Sequence, residues 1–228
     1  MAVEQDKTNL IALNVTRTRV TVLVFNLTII AFMFSMLKAG GASADHIAAA
    51  HLTSSAALFT GFCLTLLGLL WLLASQNLDA EGLSRPWPFT LGAITTYLAL
   101  SQTITAFMHE YMLSVESAAE TSQPGVAESA QSLIRLEALG DTALLILLVM
   151  GGGIWILITY VGPLLAGLRS PVGGNRRWLF AGYYFVLQVP IYWVYARAWH
   201  LQYVPADHPT NMLSLFALQF VQPLLWFR

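Results

Sequence analysis

Six long apolar runs divide this chain, and its basic residues fall overwhelmingly on alternate connections between them. Roughly 20 apolar residues carry a helix across the hydrocarbon of a bilayer, with every backbone group satisfied inside the segment. The runs are Val20 to Leu37, Ile47 to Ala74, Phe89 to Met112, Thr142 to Leu168, Trp178 to Trp199 and Met212 to Phe227. The expected fold is an all-α, polytopic membrane bundle of six transmembrane helices, one domain over residues 20–228. The sixth run is slightly short, and the second is long enough to tilt or project. Composition agrees. Only 10% of residues are charged, against about 25% in soluble domains, so lipid must replace water around most of the surface.

Residues 1–19 form an N-terminal segment expected in the cytoplasm. Glu4, Asp6 and Lys7 make it polar, and no small-residue cleavage motif closes a short apolar run, so the first span is expected to stay as an anchor. Thr8 to Arg19, with Leu10, Ile11, Leu13 and Val15, reads either as a surface-lying helix or as a plain polar tail.

Orientation follows from the basic residues. Lys7, Arg17, Arg19, Arg85, Arg169, Arg176, Arg177 and Arg228 fall on one side, and Lys38, Arg135 and Arg197 on the other. Basic residues stay in the cytoplasm, so both termini are expected there, in a cell inner membrane. The opposite face carries Asp45, Glu110, Glu116, Glu120, Glu128, Glu137, Asp141 and Asp207, an acidic surface that would concentrate cations. The long outer connection, Leu113 to Gly140, reads as a flexible loop or a short surface helix ending near Gln123. Ser132 to Leu139 looks like an outward extension of the fourth span. A net charge of −1 gives no reason to expect nucleic acid as a partner. The expected partners are the lipid bilayer and either further copies of the chain or other membrane subunits.

All five histidines fall toward the outer face. His51, His109 and His200, with Glu110 and Asp141, make a candidate ligand set for zinc, copper or iron. The alternative is that they are amphipathic residues at headgroup level. Local motifs are absent: there is no His-Glu-x-x-His and no cysteine pair at zinc spacing. His51 and His109 each sit about a turn inside their spans, a depth at which two facing histidines could ligate one haem or gate a path by titration. They are expected to approach each other across a common polar space.

Inside the spans, Gln102, Thr105 and His109 recur at steps of three and four and so share a helix face, as do Tyr184, Gln188, Tyr192 and Tyr195. Asn26 and Gln219 add uncharged amides. Such groups face protein or water rather than lipid. Two readings stay open: a polar pocket or pore lined by Asn26, Gln102, Thr105, Gln188, Tyr192 and Gln219, or hydrogen bonding that only holds the bundle together. Few ionisable groups lie at mid-membrane, which argues against a carboxylate-driven proton-coupled transporter and leaves a channel, a lipid or quinone pocket, or a packing role. Gly151, Gly152 and Gly153 interrupt the fourth span, where they permit close helix approach, a kink or a hinge. Cys63 is expected to pack as a small core residue. Trp87, Trp178, Trp193, Trp199, Tyr203 and Trp226 are expected to anchor the two interfaces.

The leading expectation is a channel or transport protein, or a membrane subunit of a larger complex. The alternatives are a metal-dependent hydrolase or oxygenase with its site at the outer face, and a haem b electron-transfer subunit.

Overall fold

The computed structural model describes residues 17–33, 35, 51–80, 86–121, 142, 145, 149–170, 177–204 and 210–227. Regular structure among them is entirely helical. Helix α1 comprises residues 17–33, α2 Leu52–Ala80, α3 Pro86–Thr121, α4 Val149–Leu168 and α5 Arg177–Tyr203. Helix α6, Met212–Leu218, runs directly into a 3-10 segment, Gln219–Phe227. Helices α2 to α5 are each long and apolar enough to cross a membrane, which marks the chain as a membrane protein.

Paired contacts show that successive long helices run antiparallel. Arg19 lies over the rings of Phe89 and Tyr97, at 4.9 and 5.9 Å, near the start of α1. Further along, Asn26 Nδ2 donates to Thr65 Oγ1 at 3.0 Å. Gly61 of α2 abuts Gln102 of α3, and Gly92 abuts Leu72. Helix α4 meets α3 through Trp155 and Thr105 at one level and Ser170 and Thr90 at another. Helix α5 meets α2 at Gln202 with Thr53, Tyr195 with Thr60, and Tyr183 with Trp71. Helix α3 is the most buried of the four long spans and forms the axis of the bundle.

This register sorts the charges. Arg17, Arg19, Arg169 and Arg177 occupy one end, and His51, His109, Glu110 and His200 lie toward the other. Phe25, Phe59, Leu70, Phe107, Leu164 and Val186 are exposed on the outside, as a bundle surrounded by hydrocarbon requires.

The last segment departs from a straight span. Asn211 caps α6, its Oδ1 accepting from Leu213 N at 3.0 Å. The chain then passes from the level of Trp199 to that of Tyr192, whose ring lies 4.7 Å from Phe220. At Val221 the backbone leaves helical geometry (φ −122°, ψ 42°). Beyond the break, Pro223 packs on Gly152, and Trp226 on Gly151 and Met108, which lie back toward the histidine end. Among the described residues the segment enters the bundle and turns back beyond Val221, and four helices are long and apolar enough to cross a membrane, against the six spans expected. Pro223 explains part of this. Its ring cannot continue an α-helix, and it disfavours helical backbone in the residue before it.

Other expectations also shift. The third span continues past Met112 to Thr121, and the second past Ala74 to Ala80. Cys63 is exposed rather than packed inside, because the medium around the bundle is itself apolar and a small hydrophobe gains little by burial. Trp199 and Trp226 are buried between elements, not placed as interfacial anchors, whereas Trp87, Trp178 and Trp193 are exposed. Residues 1–16 and 122–141, on which the expectations for the N-terminal segment, most of the outer connection and Asp141 fall, lie outside the described residues.

Candidate functional site in the bundle interior

Among the described residues, the interior carries a set of buried polar side chains that includes no Asp, Glu, Lys or Arg. Asn26, Gln102, Thr105, Gln188, Tyr192 and Gln219 are each at most 1% exposed. The stripe on α3 faces a point where three elements converge. Gln102 Oε1 accepts from Tyr195 of α5. Thr105 Oγ1 accepts from Trp155 Nε1 of α4 at 3.0 Å. His109 lies against the Gln222 carboxamide of the re-entrant segment. Steps of three and four keep these side chains on one helix face while the neighbouring elements change along it.

A second cluster sits deeper. Gln188 Nε2 donates to the hydroxyls of Tyr184 and Tyr192, both at 3.3 Å. Tyr192 and Tyr160 share a hydrogen bond at 3.3 Å, and Tyr160 donates to the Phe220 carbonyl. Tyr184 donates to the Thr159 carbonyl at 3.0 Å. Tyr160 and Thr159 lie in a π-helical turn, Leu157–Val161, within α4. The extra residue of such a turn re-aims side chains, and π-bulges are frequent at functional sites. The turn is followed by Gly162, which closely adjoins the Tyr97 ring.

These clusters do not use all of their own polar atoms. Among the described residues, Asn26 Oδ1, His109 Nε2, Thr159 Oγ1, Gln188 Oε1, Gln222 Oε1 and Trp226 Nε1 are buried without a protein hydrogen-bond partner. His109 and Gln222 adjoin each other without closing a bond of sound geometry. Burying one such atom unpaired costs about 1–3 kcal/mol. Three of the six gather around the re-entrant segment: Gln222 and Trp226 on it, and His109 against it.

At the outer end, His51 Nδ1 lies 2.8 Å from Glu110 Oε1, and Ser54 Oγ donates to the same carboxylate oxygen. Gln202 Oε1 accepts from the Thr53 hydroxyl at 2.6 Å and from its backbone N–H at 3.0 Å. Of the five expected metal ligands, the structure brings His51 and Glu110 together. His109 turns to Gln222 instead, and His200 shares a hydrogen bond with Thr210 at 2.9 Å. Asp141 lies outside the described residues. Among the described residues, no three of His, Cys, Asp and Glu assemble as a metal site would need. His109 and Glu110 diverge because neighbouring helix residues point about 100° apart.

Sequence reasoning missed Thr159, Tyr160 and Gln222. Gln222 carried a signal, since Gln-Pro inside an apolar run marks a break in the helix. Tyr160 carried none beyond its place before Gly162-Pro163. Comparison with protein-family models, with curated proteins and with solved structures gives no match.

Proposed function

We propose that this chain is a transport protein of the cell inner membrane that passes a small, uncharged polar solute through the bundle interior. The observation that carries the reading is the re-entrant segment, broken at Val221 inside the bundle. Non-helical backbone at membrane depth is tolerated only where protein buries it or where it lines a cavity, and channels and transporters use it in the second way. Here it presents Gln222 to His109, the Phe220 carbonyl to Tyr160 and the Phe220 ring to Tyr192.

The leftover hydrogen-bonding atoms support the same reading. A purely structural network tends to satisfy its own members. Acceptors such as Gln188 Oε1 and Gln222 Oε1, with the Trp226 Nε1 donor, suit a solute that exchanges hydrogen bonds with the wall as it moves. The described residues of this lining include no Asp, Glu, Lys or Arg, which favours neutral cargo over ions. The described conformation is read as the closed one, because the six named interior residues are almost fully buried. Displacing the segment beyond Val221 would open the route toward His51 and Glu110.

The proposed topology has five crossings, α1 to α5, followed by the re-entrant hairpin. The arginine-rich end faces the cytoplasm by the positive-inside rule. The N-terminus is then cytoplasmic and the C-terminus lies on the outer side, in place of the sequence expectation that both are cytoplasmic.

The test is solute flux into proteoliposomes, followed by light scattering with water, urea and glycerol, beside conductance measurements with salts. Neutral-solute flux well above that of empty vesicles, reduced at least several-fold in Gln222→Leu, supports the proposal. Ion currents without neutral flux would overturn it. No flux of either kind, with stoichiometric co-purification of another membrane protein, would favour a subunit role.

The His51–Glu110 pair keeps an outer-face metal enzyme as the second reading, with Asp141 as the ligand to seek. Stoichiometric zinc, copper or iron in the purified protein would raise it above the first.

A further inference from the structure

A cavity of about 550 Å³ opens between α4 and α5 near the arginine-rich end. Its walls are apolar, formed by Ile94, Leu164 and Phe185 among others. Its mouth carries Arg177 and Trp178, both exposed at the first turn of α5. The Tyr184 ring lines it as well, with its hydroxyl engaged by the Thr159 carbonyl.

We propose that this cavity holds one anionic phospholipid, its acyl chain against Leu164 and Phe185 and its phosphate on Arg177. Three observations converge on that occupant. The volume lies within the roughly 300–1,000 Å³ of small-ligand sites. The lining is apolar and, among the described residues, contains no carboxylate, so it favours hydrocarbon over a polar metabolite. Among the described residues the one charged group in the lining is a guanidinium, whose fork geometry matches phosphate oxygens. Arg169 is exposed at the end of α4, the adjoining wall, and adds a second positive charge at the same end of the bundle. Trp178 is 77% exposed, the placement of an aromatic residue at headgroup depth. Basic pockets between membrane helices on the cytoplasmic side bind anionic headgroups by this logic. The proposal rests on membrane placement and not on the transport reading, so lipid retention and solute flux fail independently.

The experiment is native mass spectrometry of the full chain in detergent, titrated separately with dioleoylphosphatidylglycerol and dioleoylphosphatidylcholine. One retained phosphatidylglycerol, preferred about tenfold over phosphatidylcholine, is expected because the choline ammonium of the latter offsets the phosphate charge that the Arg177 guanidinium meets. Arg177→Ala should bring retention down to the phosphatidylcholine level, whereas Arg17→Ala, at the same end but on α1, should leave it unchanged. Gly167→Leu fills the cavity. A Cβ there meets Phe180 at an ordinary 3.7 Å, so the first side-chain atom is accommodated, and retention of both lipids should fall. Each variant is compared on material that elutes as wild type does. If Gly167→Leu fails to fold, the exposed Arg177→Ala still decides. Equal retention of the two lipids, or wild-type retention in Arg177→Ala, would overturn the proposal. So would displacement of the lipid by millimolar inorganic phosphate, which would mean a bare anion site.

Discussion

His51 Nδ1 sits 2.8 Å from Glu110 Oε1, joining the residue just before α2 to the outer part of α3. The two side chains are 26% and 21% exposed, so water screens the contact only partly. Such a hydrogen bond between partly buried groups contributes about 1 kcal/mol. A double-mutant cycle with His51→Ala and Glu110→Gln, read by unfolding in mixed detergent micelles, should return a coupling energy of that size. Strictly additive single-variant losses would mean that the contact is incidental.

Tyr195 binds two groups at one level, accepting or sharing a hydrogen with Thr60 at 3.1 Å and donating to Gln102 Oε1. Removing its hydroxyl in Tyr195→Phe leaves that buried oxygen without its donor, at a cost of about 1–3 kcal/mol. Removing the oxygen as well should recover part of the loss. Tyr195→Phe/Gln102→Leu is therefore expected to be no less stable than Tyr195→Phe alone, by the same unfolding measurement. A double variant markedly less stable than either single one would show that Gln102 is held mainly by other contacts, such as its bond to Ser101.

Much of this architecture was legible in the chain because hydrophobicity and period report lipid and helix directly. The stripe of Gln102, Thr105 and His109 pointed inward as its spacing implies, and so did Gln188, Tyr192 and Tyr195. What failed was pairing. Topological depth placed His51 and His109 at one level, but depth says nothing of azimuth, and Glu110 rather than His109 faces α2. The run from Met212 to Phe227 is apolar enough for most of a crossing, so hydropathy alone hides the reversal at Val221. Gln222-Pro223 was the visible cue. The π turn at Leu157–Val161 has no compositional signature; it lies where α4 meets Tyr97 and Tyr184.

Glycines of α4 should respond oppositely to substitution. A Cβ at Gly162 would lie 2.7 Å from the Tyr97 ring, whereas one at Gly153 meets nothing within 4 Å. Overpacking of this kind costs about 1–3 kcal/mol, so Gly162→Ala should destabilise the protein. Gly153→Ala should be neutral or stabilising, by up to about 1 kcal/mol from helix propensity. The comparison is of midpoints in a thermal or detergent unfolding series. Equal losses at both positions would contradict the packing described here.

The proposed topology makes the sharpest prediction, because a re-entrant last segment would set which side the chain ends on. Basic-residue counting over six straight spans puts both termini in the cytoplasm. Five crossings and a hairpin put the C-terminus on the side of Thr210, opposite Arg169. Both residues are exposed, so each can be replaced by cysteine in a Cys63→Ser background. Thr210→Cys should react with an impermeant maleimide in intact cells. Arg169→Cys should react only after permeabilisation. A C-terminal alkaline phosphatase fusion should then be active and a C-terminal green fluorescent protein fusion dark, because the former needs an oxidising outer compartment to form its disulfides. A fluorescent fusion together with outside labelling of Thr210→Cys would mean that the chain crosses after residue 210. The break at Val221 would then be a kink within a sixth span, and the transport proposal would lose its principal support.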